Sequence, residues 1–451
     1  MEQVFNNGTI PKGSFGVWLL AWPSIITNLL YASSSIIAIK VVGSFGSDEI
    51  AAAITGQRIT FIMQAVLSGI LAGTAALVAR NWGANKHDEA AKYITTTIQL
   101  VLILSVLCAI GINLYAYEIS SFFALDGNAL IYSAKYLKTL SPFIVAYGLG
   151  IGLITSLRAV GDVKTPLIIA LIMNISAIFL MISLSSGYFN LPSLGYIGVA
   201  LGNGISFVIG GVLLFIIWLG NFLRVKSTNL IEISSYKIKQ IFTVGYPAAL
   251  EQLIFQVGIT AFLILIAYYG TEAYAAYGIG VQILSVSFVI GFGFSISGAT
   301  LVGQHLGASD NIQAKRAGWG AMRLSIFSMT FFGLLIIFFA KPLAEFMIDD
   351  PNVVRLSVVF IWLLGSMQPL MAIEFALGGS LRGAGDTRTP LLITLTSLVF
   401  VRVVLALVLF YFNAPVELIF ASLLADYIVK GIFYVISFRS DKWIYAIKHN
   451  H

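Results

Sequence analysis

Seven ionisable side chains fall inside apolar stretches of this sequence: Lys40, Arg58, Glu251, Glu374, Arg402, Asp426 and Lys430. A charge in hydrocarbon costs several kcal/mol unless it is paired, hydrated or neutralised by a proton. Such groups therefore either carry an ion or hold one another. Glu251 stands about eleven residues into its stretch, roughly 16 Å deep at helical rise and near a bilayer midplane. A carboxylate there, with Gln252 beside it, suits proton or sodium binding; the structural alternative is a fixed ion pair. Arg402, about 20 Å into its own stretch, cannot titrate usefully. It is expected to be a fixed counter-charge to Glu251, Glu374 or Asp426, with direct substrate contact as the other reading. Asp426 and Lys430 are spaced for a salt pair within one helix, unless Asp426 faces a cavity. Glu374 lies nearer a helix end, where it can be partly wet. Lys40 and Arg58 are placed to snorkel to an interface. Gln57, Gln64, Gln256, Gln282, Asn28 and Asn174 are neutral polar groups suited to lining a cavity.

Other chemistries find little support. The four histidines (His87, His305, His449, His451) are scattered, and Cys108 is the only cysteine, so no metal site and no internal disulfide is expected. No cluster of His, Asp or Glu gathers at one interface as an integral-membrane enzyme would need. Glycine strings such as Gly278 to Gly280 follow no strand, and there is no Walker motif, so neither a bound nucleotide nor direct ATP power is expected. No cofactor is called for beyond a coupling sodium ion or proton. A channel is disfavoured because no ring of equivalent filter residues repeats.

The elements that position these residues must be membrane helices. The chain has 451 residues, is 58% hydrophobic and only 10% charged, where soluble domains carry about 25% charge. Apolar runs long enough to cross a bilayer recur along the whole length, and they are continuous rather than alternating as barrel strands would be. Twelve spans are expected: 15–43, 50–80, 93–117, 130–157, 163–186, 194–221, 238–269, 275–304, 317–346, 354–381, 387–413 and 415–438. The N-terminus, Met1 to Ser14, is polar and no cleavable signal is expected. The net charge of +6 could suggest nucleic acid, but its distribution fits a membrane better. The loops after even-numbered spans, with Lys12 and the tail to Lys448, hold eighteen lysines and arginines; the opposite loops hold four, Lys135, Lys138, Lys341 and Arg355. That bias places both termini in the cytoplasm of a multi-pass plasma-membrane protein.

The chain also matches itself at a shift of 224 residues. SLRAVGDVKTPLII (Ser156 to Ile169) lies over SLRGAGDTRTPLLI (Ser380 to Ile393), nine identities in fourteen. The same shift pairs Pro23 with Pro247, Gly46 with Gly270, Asp126 with Asp350 and Asn128 with Asn352. Each half thus holds six spans, and an even number makes the repeat parallel, with a pseudo-two-fold axis along the membrane normal. Transporters so built hold substrate between the halves and rock one against the other. The expected organisation is an N-terminal bundle over 1–220, a cytoplasmic linker over 221–237 containing Arg224, Lys226, Asn229 and Glu232, and a C-terminal bundle and tail over 238–451. Arg158 with Asp162 and Arg382 with Asp386 fall at helix ends and read as structural turn elements, with charges near helix termini and Gly161 and Gly385 allowing the turn.

These motifs resemble those of the multidrug and toxic compound extrusion family. The likeness is carried by Trp22-Pro23 and Tyr246-Pro247 in spans 1 and 7, GSFGSDEIAAA with GTEAYAAYGIG, AALVARNWGANKHDEA with ATLVGQHLGASDNIQA, and the doubled LRxxGDxxTP element. It spans nearly the whole chain in order. The resemblance implies two bundles around a V-shaped cavity and export of cationic or amphipathic small molecules against proton or sodium entry. The protein is expected to be a monomer in membrane lipid. It also exposes departures. Ala38 and Ile178 stand where many members carry aspartates, and Met371 where another pattern is acidic. Glu374 lies three residues after Met371, and Glu251 four residues after Pro247 where some branches place a glutamate eight after. Ion coupling is therefore expected in the C-terminal half. A lipid-linked oligosaccharide flippase of the related superfamily is the alternative within transport, and would want a more cationic cavity.

Overall fold

A computed structural model describes residues 10–123, 125–228 and 234–447. Lys448, Asn229, Glu232, His449 and His451 lie outside them. The described residues are all-helical, without strands. Eleven single helices and one bent pair are long and apolar enough to cross a membrane. They are α1 (Gly13–Gly43), α2 (Ser47–Gly83), α3 (His87–Leu114), α4 (Gly127–Ala159), α5 (Lys164–Ser186), α6 (Tyr196–Leu219), α7 (Ser235–Ala267), α8 (Thr271–Gly307), α9 (Asn311–Phe338), α10 (Pro351–Ser366 with Gln368–Ala384), α11 (Arg388–Tyr411) and α12 (Val416–Arg439). Each corresponds to an expected span, with ends moved by a few residues. The larger differences follow α3 and α9. Those helices stop at Leu114 and Phe338, and the apolar sequence beyond turns into short separate helices, Ala116–Phe122 and Ala340–Met347. Hydropathy alone does not register such a break.

Helix in these sequences follows from the solvent. With no water to bond backbone groups, an apolar segment satisfies them internally, and the helix does this within one segment. Proline is then tolerated mid-helix, as Pro23 is in α1 and Pro247 in α7. The two parts of α10 meet at an angle of 49°, beside Pro369, which has no N–H to give the ladder.

The 224-residue shift also holds for the helix bounds. It carries α2 onto α8 and α3 onto α9 without remainder. The last pair slips: α6 and α12 are both 24 residues long, but start 220 apart, at Tyr196 and Val416. The longer α5–α6 connection, Gly187 to Gly195, absorbs the difference.

By contacts the chain divides into two compact units. One contains Ile26–Val78 and Lys86–Phe242; the other contains Met1–Ile25, Ala79–Asn85 and Thr243–His451. The first part of α1, as far as Ile25, therefore packs with the C-terminal half. Its Trp18 ring lies 6.4 Å from Phe294 of α8. In this unit α8 and α10 run in close backbone contact, where a Cβ on Gly383 would stand 2.2 Å from the Ala299 oxygen.

Candidate functional site

Within the C-terminal unit the membrane-embedded charges form two ion-paired sets, Glu251 with Arg382 and a second of Glu374, Lys430, Asp426 and Arg402. Glu251 of α7 accepts both of its bonds to Arg382 from a single nitrogen, Nη1, at 2.9 and 3.0 Å. The Thr394 hydroxyl donates to the same carboxylate at 3.2 Å. Lys430 of α12 lies 3.2 Å from Glu374 of α10 and 3.7 Å from Asp426, one turn earlier on its own helix. Arg402 of α11 pairs with Asp426. Aromatic rings wall this region: Tyr427 is 5.4 Å from the Arg402 guanidinium and 5.0 Å from the Lys430 ammonium. Three acids meet three bases, and Asp426, Lys430 and Arg402 are buried. In low dielectric each charge is sustainable only because the other sign is beside it.

Local structure explains how the sequence delivers these groups. Arg402 is carried by a π-helical stretch, Leu395–Val403, inside α11. The wider turn rotates the remainder of the helix, and such bulges often occur at functional sites. The matching helix α5 has none. Arg382 is set by the turn that ends α10. Asp386 N–H bonds back to the Leu381 carbonyl and Gly385 N–H to Arg382, each at 3.0 Å, with Gly385 left-handed at φ +89°. This is a Schellman ending, which wants glycine at that position. Asp386 then caps α11, accepting from Thr389 N–H at 3.1 Å and from its hydroxyl at 2.7 Å. The N-terminal half repeats the device. Gly161 has φ +87°, Asp162 N–H bonds to Leu157 at 2.9 Å, and Asp162 accepts from Thr165 N–H at 3.0 Å and its hydroxyl at 2.7 Å.

The N-terminal unit holds a cavity of about 360 Å³ where the other half holds its ion network. Its lining takes in Asn28, Asn174, Gln57 and Gln64 as well as Tyr31, Tyr147 and Phe207. The Tyr147 hydroxyl donates to Gln64 at 3.4 Å, Gln57 donates to the Ser35 carbonyl at 3.3 Å, and Asn174 donates to the Leu30 carbonyl. Arg158 is the one charged residue among those lining it; none is acidic.

The two arginines of the repeated turn thus do more than build turns. Of the partners open to Arg402 in the sequence, the structure selects Asp426, and it gives Glu251 to Arg382 instead. Depth along a helix can be counted from sequence, but not the direction in which a side chain leaves it. An arginine at a helix end also reaches back further than its position suggests. Gln252 and Gln256 are half-buried on α7 and Gln282 is exposed, all three outside the ion-paired set. Lys40 and Arg58 are exposed. Arg158 as a cavity residue was missed; the signal for it was that Thr27 stands one repeat away from Glu251.

Comparison with known proteins agrees with this architecture. The MatE family matches residues 23–182 and 247–408. "Probable multidrug resistance protein NorM" of Thermotoga maritima is 27% identical over 429 residues, covering 94% of this chain and 92% of that protein. "Probable multidrug resistance protein YoeA" of Bacillus subtilis is 23% identical, covering 90% and 89%. Among solved structures, the Vibrio cholerae MATE transporter VcmN in its bent form superposes with a TM-score of 0.87 at 18% identity, over 96% of this chain and 98% of that one. A MOP superfamily transporter from Pyrococcus furiosus gives a TM-score of 0.90 at 17% identity, with 97% of each covered.

Proposed function

The chain belongs to the MatE family, and on that footing we propose that it is a secondary multidrug exporter of the plasma membrane, with both termini cytoplasmic. It moves amphipathic small molecules outward in exchange for an entering proton or sodium ion, by alternating access. The observation that carries the coupling is the uneven distribution of acids. Glu251, Glu374 and Asp426 all lie in the C-terminal network, whereas the N-terminal cavity has no carboxylate among its lining. Glu374 and Glu251 keep 19% and 14% side-chain exposure while Asp426 keeps none; of the two exposed acids we take Glu251, which has the Thr394 hydroxyl beside it as a further oxygen. A cation arriving there competes with Arg382 for the same two oxygens. We favour the proton, since one carboxylate and one threonine hydroxyl give few of the oxygens that a sodium ion requires.

The test is transport by the purified chain in proteoliposomes, with sodium and proton gradients imposed separately. Ethidium serves as the reporter. Glu251→Gln is expected to abolish gradient-driven movement while leaving energy-independent binding intact. Full gradient-driven transport by that variant would remove Glu251 from the mechanism.

A further inference from the structure

Away from the ion-paired sets, the C-terminal unit holds a groove of about 530 Å³. Its walls are the short helix Ala340–Met347, the turn after it and the first part of α10. An alanine face ties the walls together. Ala340 and Ala344 are buried with Ile361, and Val354 and Val358 pack against them. That leaves Lys341 and Glu345 one turn apart on another face of the short helix. On α10, Pro351, Arg355, Val358 and Trp362 follow one another at three or four residues, so they form one stripe, and all four line the groove.

The groove carries two charges of each sign, Lys341 and Arg355 against Glu345 and Asp349. The neighbouring Asp350 is occupied otherwise, capping α10 by accepting from Asn352 N–H at 2.9 Å and Val353 N–H at 3.3 Å. The lining charges are held loosely. Lys341 lies 3.7 Å from Glu345, and Arg355 lies 4.0 Å from Glu417; exposed pairs of this kind are weak and exchange partners readily. At the 224 shift, Tyr117, Ser121, Leu125 and Ile131 stand in place of Lys341, Glu345, Asp349 and Arg355. The charges are thus an addition to the duplicated fold and not a requirement of it.

We propose that the groove binds a phospholipid with an ethanolamine headgroup, whose phosphate meets Lys341 and Arg355 and whose ammonium meets Glu345 and Asp349. Charge complementarity selects this occupant. An anionic headgroup would face two acids, and a choline has no N–H to give a carboxylate, whereas an ammonium forms charge-assisted hydrogen bonds. The apolar end fits a lipid too. Trp362 lies seven residues beyond Arg355, about 10 Å deeper at helical rise, and Val358 and Val359 line the track between them. Trp362 is 52% and Phe346 87% exposed, and aromatic side chains anchor at the level of headgroups. In the proposed orientation the lipid belongs to the outer leaflet. The four charges stand before the bend in α10, whereas Glu374 and Arg382 stand after it, so this site is separate from the ion-paired sets and does not depend on the exporter reading.

The experiment is native mass spectrometry of the full chain in detergent, offered equimolar dioleoyl phosphatidylethanolamine, phosphatidylcholine and phosphatidylglycerol, which share their acyl chains. The ethanolamine lipid is expected to be retained about fivefold over either of the others, the size that exposed charge contacts warrant. Glu345→Gln/Asp349→Asn keeps the cations and removes the partners of the ammonium, so it should turn the preference to phosphatidylglycerol. Lys341→Gln/Arg355→Gln should lower retention of the ethanolamine lipid to that of phosphatidylcholine. All four side chains are exposed, and a melting curve shows whether each variant is folded; the ranking by the unaltered chain decides if neither is. Equal retention of the three lipids, a preference of the unaltered chain for phosphatidylglycerol, or an ethanolamine preference that survives in both variants would overturn the proposal. Displacement of the lipid by an equal concentration of glycerophosphoethanolamine, the same headgroup without chains, would also overturn it, since the site would then serve a soluble phosphate ester.

Discussion

Arg402 of α11 and Asp426 of α12 form an ion pair whose side chains are 3% and 0% exposed. Lys430 stands 3.7 Å from the same Asp426 oxygen, so one carboxylate offsets parts of two cations. Breaking such a pair from one side leaves a buried charge without compensation and costs about 3–5 kcal/mol, while replacing both partners with apolar groups can cost little. Asp426→Asn and Arg402→Met are each expected to lower the thermal unfolding midpoint in detergent. The double variant Arg402→Met/Asp426→Leu should recover much of the loss. A double variant as unstable as the sum of the singles would mean that the pair is not a unit.

The repeated turn makes a matched prediction. Asp162→Ala and Asp386→Ala each remove the cap on Thr165 or Thr389, worth about 1 kcal/mol. The stability loss should be similar in the two variants, because the geometry is the same. Their functional effects should differ, since one turn sets Arg158 and the other Arg382. Asp386→Ala should impair gradient-driven transport, and Asp162→Ala should change ethidium binding measured without a gradient. Identical functional phenotypes would show that the turns matter only for folding.

The orientation follows from charge. In a Cys108→Ser background, Lys226→Cys and Asn413→Cys place single thiols in exposed connections. An impermeant maleimide applied to sealed cells should label Asn413→Cys, and label Lys226→Cys only after permeabilisation. Labelling of both from outside would refute the cytoplasmic termini.

Much of the fold was legible because hydrocarbon leaves a chain few options. A long apolar run must be helix, and a duplication preserves Gly, Pro and Asp where turns need them, as at Gly161/Gly385 and Asp162/Asp386. The identity of the buried acids was legible for the same reason: charge in an apolar run stands out. Their pairing was not. Glu251 and Arg382 are 131 positions apart, and nothing in spacing tells which of several arginines turns toward a given carboxylate. The π-helical stretch under Arg402 leaves no mark in apolar sequence. The cavity was hidden for a different reason, since it is made by what Gly150 and Ser206 lack.

The balance of three acids and three bases in the C-terminal network has an electrical consequence. With three acids and three bases all ionised the set is neutral, and each monovalent cation it accepts raises its charge by one. Where a neutral molecule leaves in the same cycle, the entering cation is the whole of the charge moved. A resting potential, negative inside, then drives the exchange, at about 2.3 kcal/mol per charge for each 100 mV. Such a carrier would run on voltage even where the pH and sodium gradients are flat.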